Sequence, residues 1–327
     1  MDFGPAIPPY FGLAVGAFDD ALRDVQVDAL TCAHLETVRR LVVDTEYGHK
    51  HDKDGNVIAG SGKRHARGYV NSTLRRIKFV VRWGCEQGIV PGQVWVSLSA
   101  FRGLRPGRGG ARETPSVEAV PRGYVDAVAK HLPPLLVTAL ELLWHSGMRA
   151  GELCALTTRD IERTDDVWLY RPTRHKGTWR GRDRVVPFGP KCQELLRPLL
   201  SADPAAHLFR AEVVMRQRKA GWRRKRKTPV QPSQQKRDAR NARRATPYVD
   251  CIDVATLRRA VDAACDKAGI PRFGLHRLRH ACGTRLVVEA GDDAARVQLG
   301  HADERMVRRY SKAADGERRR RVAMRHA

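Results

Sequence analysis

His276, Arg279 and His280 of the run HRLRH, His301 of LGH, and Tyr310 fall in the last part of a 327-residue chain, well after Arg149 of SGMRAGE and Lys176 of HKG. Each is a residue type that handles phosphate. Displacing an oxygen from a phosphodiester requires the non-bridging oxygens to be neutralised, and a planar guanidinium does this with two parallel hydrogen bonds. Arg149 and Arg279, from distant parts of the chain, could clamp both oxygens. A tyrosine, with its ordinary pKa of about 10, is a poor nucleophile until positive neighbours and a base activate it. The arginines and histidines supply both, so attack by Tyr310 and a covalent phosphotyrosine are within reach of this set. The departing oxygen then needs a proton, and Lys176 is a suitable acid. Because the covalent link keeps the energy of the broken bond, resealing requires neither ATP nor metal, in keeping with a sequence that has no P-loop and no carboxylate cluster.

These side chains need elements to hold them. On a helix, His276 and Arg279 stand three apart and present imidazole and guanidinium on one face, with His280 close to the same side. The stretch 133–147, PPLLVTALELLWHSG, reads as a buried helix with Pro near its start and Gly just past its end. Arg149 then lies beyond a helix end, where Glu152 can brace it. VWLY (167–170) and RVVPF (184–188) read as strands around a polar turn, a small hairpin or meander carrying Lys176. Helical signals resume at 253–269 and run on toward the end.

Earlier in the chain, Leu35, Val38, Leu41 and Val42 share one face of a helix over 34–47, and Val70, Leu74, Ile77 and Val81 share one face over 65–87. Gly88 and Pro91 are the stop signals of the second. Between Gly55 and Cys85 stand Lys63, Arg64, Arg67, Arg75, Arg76, Lys78 and Arg82 without an acid among them, which favours contact with a DNA backbone over a solvated helix face. RGLRPGRGGARETPS (102–116) lacks periodicity and reads as a linker. The tract 210–245 holds 14 basic residues and two acids, among them Arg223, Arg224, Lys225, Arg226 and Lys227. With so little apolar content it is expected to be a mobile loop or arm, either disordered or ordering on DNA.

Charge bounds the function. Sixty Lys and Arg against 36 Asp and Glu leave +24, and residues 1–102 account for only +2 of it. Such a field attracts polyanions, nucleic acid first among them. No apolar run is long enough to span a membrane, and the acidic N-terminus is unlike a secretory or transit signal, so a cytoplasmic, nucleoid-associated protein is expected. Seven cysteines, an odd number without any C-x-x-C pair, fit reduced thiols, and the spacing of Cys251, Cys265, His276 and His280 does not suit zinc.

SGMRAGELCAL, RHKG followed by RVVPF, LHRLRH, LGH and Tyr310, in this order, resemble the tyrosine recombinase (phage integrase) family over roughly residues 117–312. The resemblance gives Arg149, Lys176, His276, Arg279, His301 and the nucleophile Tyr310 the roles of the catalytic set, with Glu152 and His280 supporting them. It implies an all-α, SAM-like core-binding domain over 1–102, a linker at 103–116, and a mainly α catalytic domain with a small β-sheet (α+β) over 117–327, with a basic insertion near 210–245. It further implies duplex DNA as substrate, a homotetramer on two DNA sites, accessory DNA-bending proteins as further partners, a 3′-phosphotyrosine intermediate and no cofactor. The residues after Tyr310 resemble a tail that docks on a neighbouring subunit, and equally a frayed basic end. Three features depart from the family's pattern. Arg277 stands where an acid is common, the stretch from Gly291 to Leu299 is about two residues short, implying a tightened helix, and the basic tract is long. The alternatives are a type IB topoisomerase-like activity and a DNA-binding accessory factor that does not cut.

Overall fold

In the computed structural model the described residues are 25–48, 62–115, 117–163, 166–173, 178, 181, 183–234, 236–237, 240, 250–300, 307–308, 310–311, 314–316 and 324. The chain divides between Ser116 and Val117 into two compact units.

The first unit is built on α1 (Cys32–Asp44), α2 (Arg67–Glu86) and α3 (Gly92–Ser99), with a two-residue pairing of β1 (Glu46–Tyr47) and β2 (Lys63–Arg64) between the first two helices. Leu35, Val38, Val42 and Val43 of α1 are buried with Val70, Leu74, Ile77 and Val81 of α2 and Val94 and Leu98 of α3. Leu41, expected on the inner face, is instead 38% exposed, because the buried stripe turns toward Val43. The α2 helix ends as expected at Gly88, whose φ of 70° only glycine adopts readily. Residues 103–115 pack back onto this unit. Leu104 joins its core, Asn71 exchanges hydrogen bonds with the Leu104 backbone (2.7 and 3.1 Å), and Glu113 pairs with Arg67 at 2.7 Å.

The second unit surrounds one apolar helix. Helices α4 (Arg122–Ala129), α5 (Pro134–Ser146) and α6 (Ala150–Cys154) lead into an antiparallel meander of β3 (Ile161–Glu162), β4 (Trp168–Tyr170) and β5 (Val186–Phe188). After it come α7 (Pro190–Leu196), α8 (Ala211–Lys225), α9 (Val254–Ala268) and α10 (His276–Leu299). Leu135, Leu136, Ala139, Leu140, Leu142, Leu143 and Trp144 of α5 are all buried, so this helix is apolar nearly all round and its neighbours pack against it. Each large side chain so buried contributes about 1.5–3 kcal/mol by leaving water. In the sheet, Trp168 faces Phe188 and Tyr170 faces Val186, and these four alternate inward with Leu169 and Pro187 between them.

Two expectations are corrected. Residues 211–225 form α8 and not a mobile arm. Val214 is 2% exposed in the shared core, and Gln217 Oε1 accepts the N–H of Leu135, one of the donors that the start of α5 leaves without a helical partner. Val214, the partly buried Ala211 and Val213, and the Gln217 amide thus dock a strongly basic helix against a core supplied largely by α5. The stretch before LGH is not a tightened helix. It begins with a break, since Gly291 (φ 87°, ψ 178°) leaves helical geometry inside α10.

Candidate active site

Arg149 occupies the N-cap of α6, two residues after Gly147, whose left-handed conformation (φ 64°) ends α5. Leu-rich α5 stops there because a glycine can turn left-handed where other residues resist it. From the first turn of α6, Glu152 reaches back to Arg149. Its Oε2 accepts the Arg149 backbone N–H at 2.9 Å and its Oε1 accepts Arg149 Nη1 at 2.5 Å. The Arg149 side chain stays 33% exposed, while that of Glu152 is 3% exposed.

Arg184, the residue that opens RVVPF, lies against the same carboxylate. Its Nε stands 3.4 Å from Glu152 Oε1 and its Nη2 3.4 Å from Oε2, while Nη1 donates to the carbonyls of Val185 (3.1 Å) and Gln298 (3.4 Å). Burial by itself would raise the Glu152 pKa, but the Arg184 charge, the Arg149 N–H and the Arg149 charge together hold it below the usual carboxylate range. Burial lowers Arg184 from its ordinary value, with Glu152 opposing the shift. An arginine remains charged at neutral pH under such conditions.

Arg279 is 2% exposed. Nη1 donates to the carbonyl of Gly147 at 2.7 Å and Nη2 to that of Leu299 at 2.5 Å, tying the end of α5 to the end of α10. Its pKa is pushed down to about 10, by burial first and then by repulsion from Arg149 and Arg184. The three guanidinium groups therefore form one positive cluster, with Glu152 the one carboxylate bonded to it among the described residues. On the same helix the His276 and His280 rings meet edge-on at 5.1 Å, and the His280 ring lies 5.2 Å from that of Tyr310. Tyr310 is 4% exposed, in a small cluster with Val287, Ala295, Leu299, Val307 and Ala314. Gly283 makes room for it, since a Cβ there would stand 3.0 Å from the tyrosine ring.

Of the residues expected from the sequence, Arg149, Glu152, His276, Arg279, His280 and Tyr310 are brought into this one region, and Lys176 and His301 lie outside the described residues. Sequence reasoning missed Arg184. Its only signal is a charged residue abutting the apolar strand VVPF, and its partner Glu152 is far away in sequence. Gln298 was missed as well. Its amide donates to Ser146 O (2.9 Å) and Pro187 O (3.1 Å), joining α10 to α5 and β5.

The candidate DNA-contacting residues fall into two groups. In the first unit Lys63, Arg64 and Arg75 are exposed, whereas Arg67 pairs with Glu113, Arg82 pairs with Glu86 (2.8 Å) and Lys78 Nζ donates to the carbonyls of Ser99 and Phe101. Arg76 is half-buried. The seven therefore do not form one uniform basic row. In the second unit Arg223, Arg224, Lys225, Arg226 and Lys227 are all exposed at and after the end of α8, with Arg226 Nη2 donating to Gln234 at 3.0 Å.

This α+β unit gathers arginines, paired histidines and a tyrosine in one region, and comparison with known proteins shows the class to which it belongs. The chain matches the Phage integrase family over residues 126–317, and it belongs to that family, the tyrosine recombinases. It is 30% identical over 180 residues to the tyrosine recombinase XerC of Corynebacterium glutamicum, covering 53% of this chain and 44% of that protein. It is 28% identical over 266 residues to the XerC of Mycobacterium tuberculosis, covering 79% of this chain and 76% of that one. The chain thus spans less than half the length of the first relative. Among solved structures, a lambda integrase dimer bound to a COC′ core site is similar with a TM-score of 0.55 at 14% identity, over 92% of this chain and 69% of that one. The Tn1549 transposon integrase in complex with transposon right end DNA is similar with a TM-score of 0.55 at 13% identity, over 97% and 95%. At such identities the likeness is one of fold.

Proposed function

We propose that the protein is a site-specific DNA recombinase that cuts and rejoins duplex DNA through a 3′-phosphotyrosine at Tyr310. The observation that carries this reading is the joint placement of Arg149, Arg279, His280 and Tyr310 around the ends of α5 and α10. Arg149 and Arg279 neutralise the phosphate as it becomes pentacoordinate, the development of charge that fixed donors stabilise best. His276 hydrogen-bonds the phosphate from the exposed start of α10, and His280 supports the tyrosine. Lys176 protonates the departing 5′ oxygen and His301 completes the set. Exposed Lys63, Arg64 and Arg75 in the 1–102 core-binding domain and Arg223–Lys227 in the catalytic domain contact DNA phosphates. The DNA-bound relatives and a lambda integrase tetramer on a Holliday junction support a four-protomer synapse for this chain too. Accessory DNA-bending proteins and a place on the nucleoid complete the reading.

The test is incubation with labelled suicide duplexes drawn from the DNA beside the gene, in the presence of a chelator, followed by denaturing electrophoresis. A covalent protein–DNA band lost in Tyr310→Phe is expected. A band that persists in Tyr310→Phe overturns the nucleophile assignment. Salt-sensitive binding with no band in the unaltered protein points to a DNA-binding factor that does not cut.

A further inference from the structure

Glu152 is the only carboxylate whose hydrogen bonds enter the described arginine cluster, and a buried carboxylate beside a phosphate-binding arginine is a problem as well as a brace. It fixes Arg149 in place, but its negative charge opposes the work Arg149 is expected to do. Arg184 bears on this conflict. Its side chain is 3% exposed, so it is packed away from solvent, and it lies against both Glu152 oxygens. We propose that Arg184 is a positioning residue for strand cleavage, one that offsets the Glu152 charge so that Arg149 keeps its own for the scissile phosphate, and that holds the end of α10 in register with α6. This rests on the recombinase reading above.

The charges balance in an informative way. Among the described residues, Arg149, Arg184 and Arg279 against Glu152 leave two net positive charges to face a phosphate that gains negative charge as it is attacked. Without Arg184 one remains, and Glu152 is left buried with Arg149 as its sole ion-pair partner there, which draws that guanidinium inward. The mechanical part is equally specific. Arg184 Nη1 bonds the Gln298 carbonyl, and a side chain at Gly300 (φ 60°) would collide with that same nitrogen. The turn that ends α10 is therefore shaped around Arg184, and Arg279 holds the adjacent Leu299 carbonyl. Burial and the neighbouring positive charges lower the Arg279 pKa, as expected if these groups share one field.

The experiment measures three things on the full chain: the rate of covalent adduct formation on a suicide duplex, the affinity for the same duplex, and the melting transition. Arg184→Met is expected to bind with near-normal affinity and to form adduct about tenfold more slowly or worse. Arg184→Met combined with Glu152→Gln restores the net charge and is expected to form adduct faster than Arg184→Met alone. A residue that serves only the fold would give the opposite, since the second change removes a further set of bonds. A double variant no faster than Arg184→Met, or an Arg184→Met rate equal to that of the unaltered protein, overturns the inference. Should Arg184→Met fail to melt cooperatively, Arg184→Lys decides. It keeps the charge but gives up part of the guanidinium bonding to Glu152, Val185 and Gln298. It is expected to bind DNA normally and to cut measurably, about tenfold slower than the unaltered protein; a lysine variant that folds and binds DNA without cutting overturns the inference. An unaltered protein that forms no adduct removes the recombinase reading itself, and this inference with it.

Discussion

Gly147 is where a single residue governs both folding and the proposed chemistry. Its backbone lies at φ 64°, and a Cβ there would come within 2.6 Å of Leu299 Cδ2 and 2.9 Å of Cys282 Sγ. Its carbonyl also holds Arg279 Nη1 at 2.7 Å. Replacing it with alanine combines the left-handed backbone cost for an L-residue with overpacking, together about 2–4 kcal/mol. Gly147→Ala is therefore expected to lower the melting temperature by several degrees. In the fraction that remains folded it is also expected to slow adduct formation, because any shift of the Gly147 carbonyl moves Arg279. Normal cleavage by a destabilised Gly147→Ala would show that the carbonyl does not position the arginine.

Between elements, the ion cluster joining α4 to α5 makes a pH-dependent contribution. Arg122 forms a paired contact with Glu141, 2.7 Å to each oxygen, and also reaches Asp126 at 2.8 Å, while its guanidinium lies 5.5 Å from the centre of the Trp144 ring. His145 Nε2 stands 3.5 Å from Glu141. Burial would raise the Glu141 pKa, yet hydrogen bonds from His145 and Arg122 and their charges lower it to about 2. Between that value and the ordinary carboxylate range the unfolded chain binds a proton that the folded chain does not. The stabilisation is thus complete above that range and is lost as pH falls toward 2. Thermal unfolding of the native sequence and Glu141→Gln should differ at pH 6 and converge as pH approaches 2. A constant difference across that range would mean that Glu141 stabilises by packing alone.

The same scale shows what could be read in advance. Helices α1, α2, α5 and α9 and strands β4 and β5 follow from apolar periodicity bounded by glycine and proline, signals that lie within each segment. Helix α8 is not legible in the sequence because it docks through a few residues of its first turns, Ala211, Val213, Val214 and Gln217, which barely alter the local pattern of a basic, polar tract. Arg149, His276, Arg279 and Tyr310 could be singled out as candidates because phosphate chemistry restricts residue type, and the structure brings them into one region. Arg184 was not, since its role is defined by a carboxylate on another element, 32 residues away. The break at Gly291 was likewise hidden, because one glycine within a helical pattern does not by itself announce a turn.

Across the whole molecule, charge is the dominant quantity. Of the formal +24, residues 1–116 carry +4 and residues 117–327 carry +20, so the second unit is expected to dominate any phosphate contact. Each contact that releases a condensed counterion steepens the salt dependence by nearly one unit of log affinity per tenfold salt. Titrating a duplex at several salt concentrations should therefore give a slope of several units, reduced when Arg223, Arg224 and Lys227 are replaced by alanine. A shallow slope, or one unchanged in that variant, would mean that the end of α8 does not touch the backbone.

The burial of Tyr310 has a consequence for fidelity. At 4% exposure against Leu299 and Val307, Tyr310, if it is the nucleophile, is withheld from the many phosphodiesters that a basic protein meets by chance. If Tyr310 cuts, some of the free energy of docking on the right sequence must go into bringing its hydroxyl out. Wrong sites that bind on charge alone would supply less of it. On that reading selectivity would reside in the rate of the first cut more than in the strength of binding, so DNA could be occupied widely and nicked rarely.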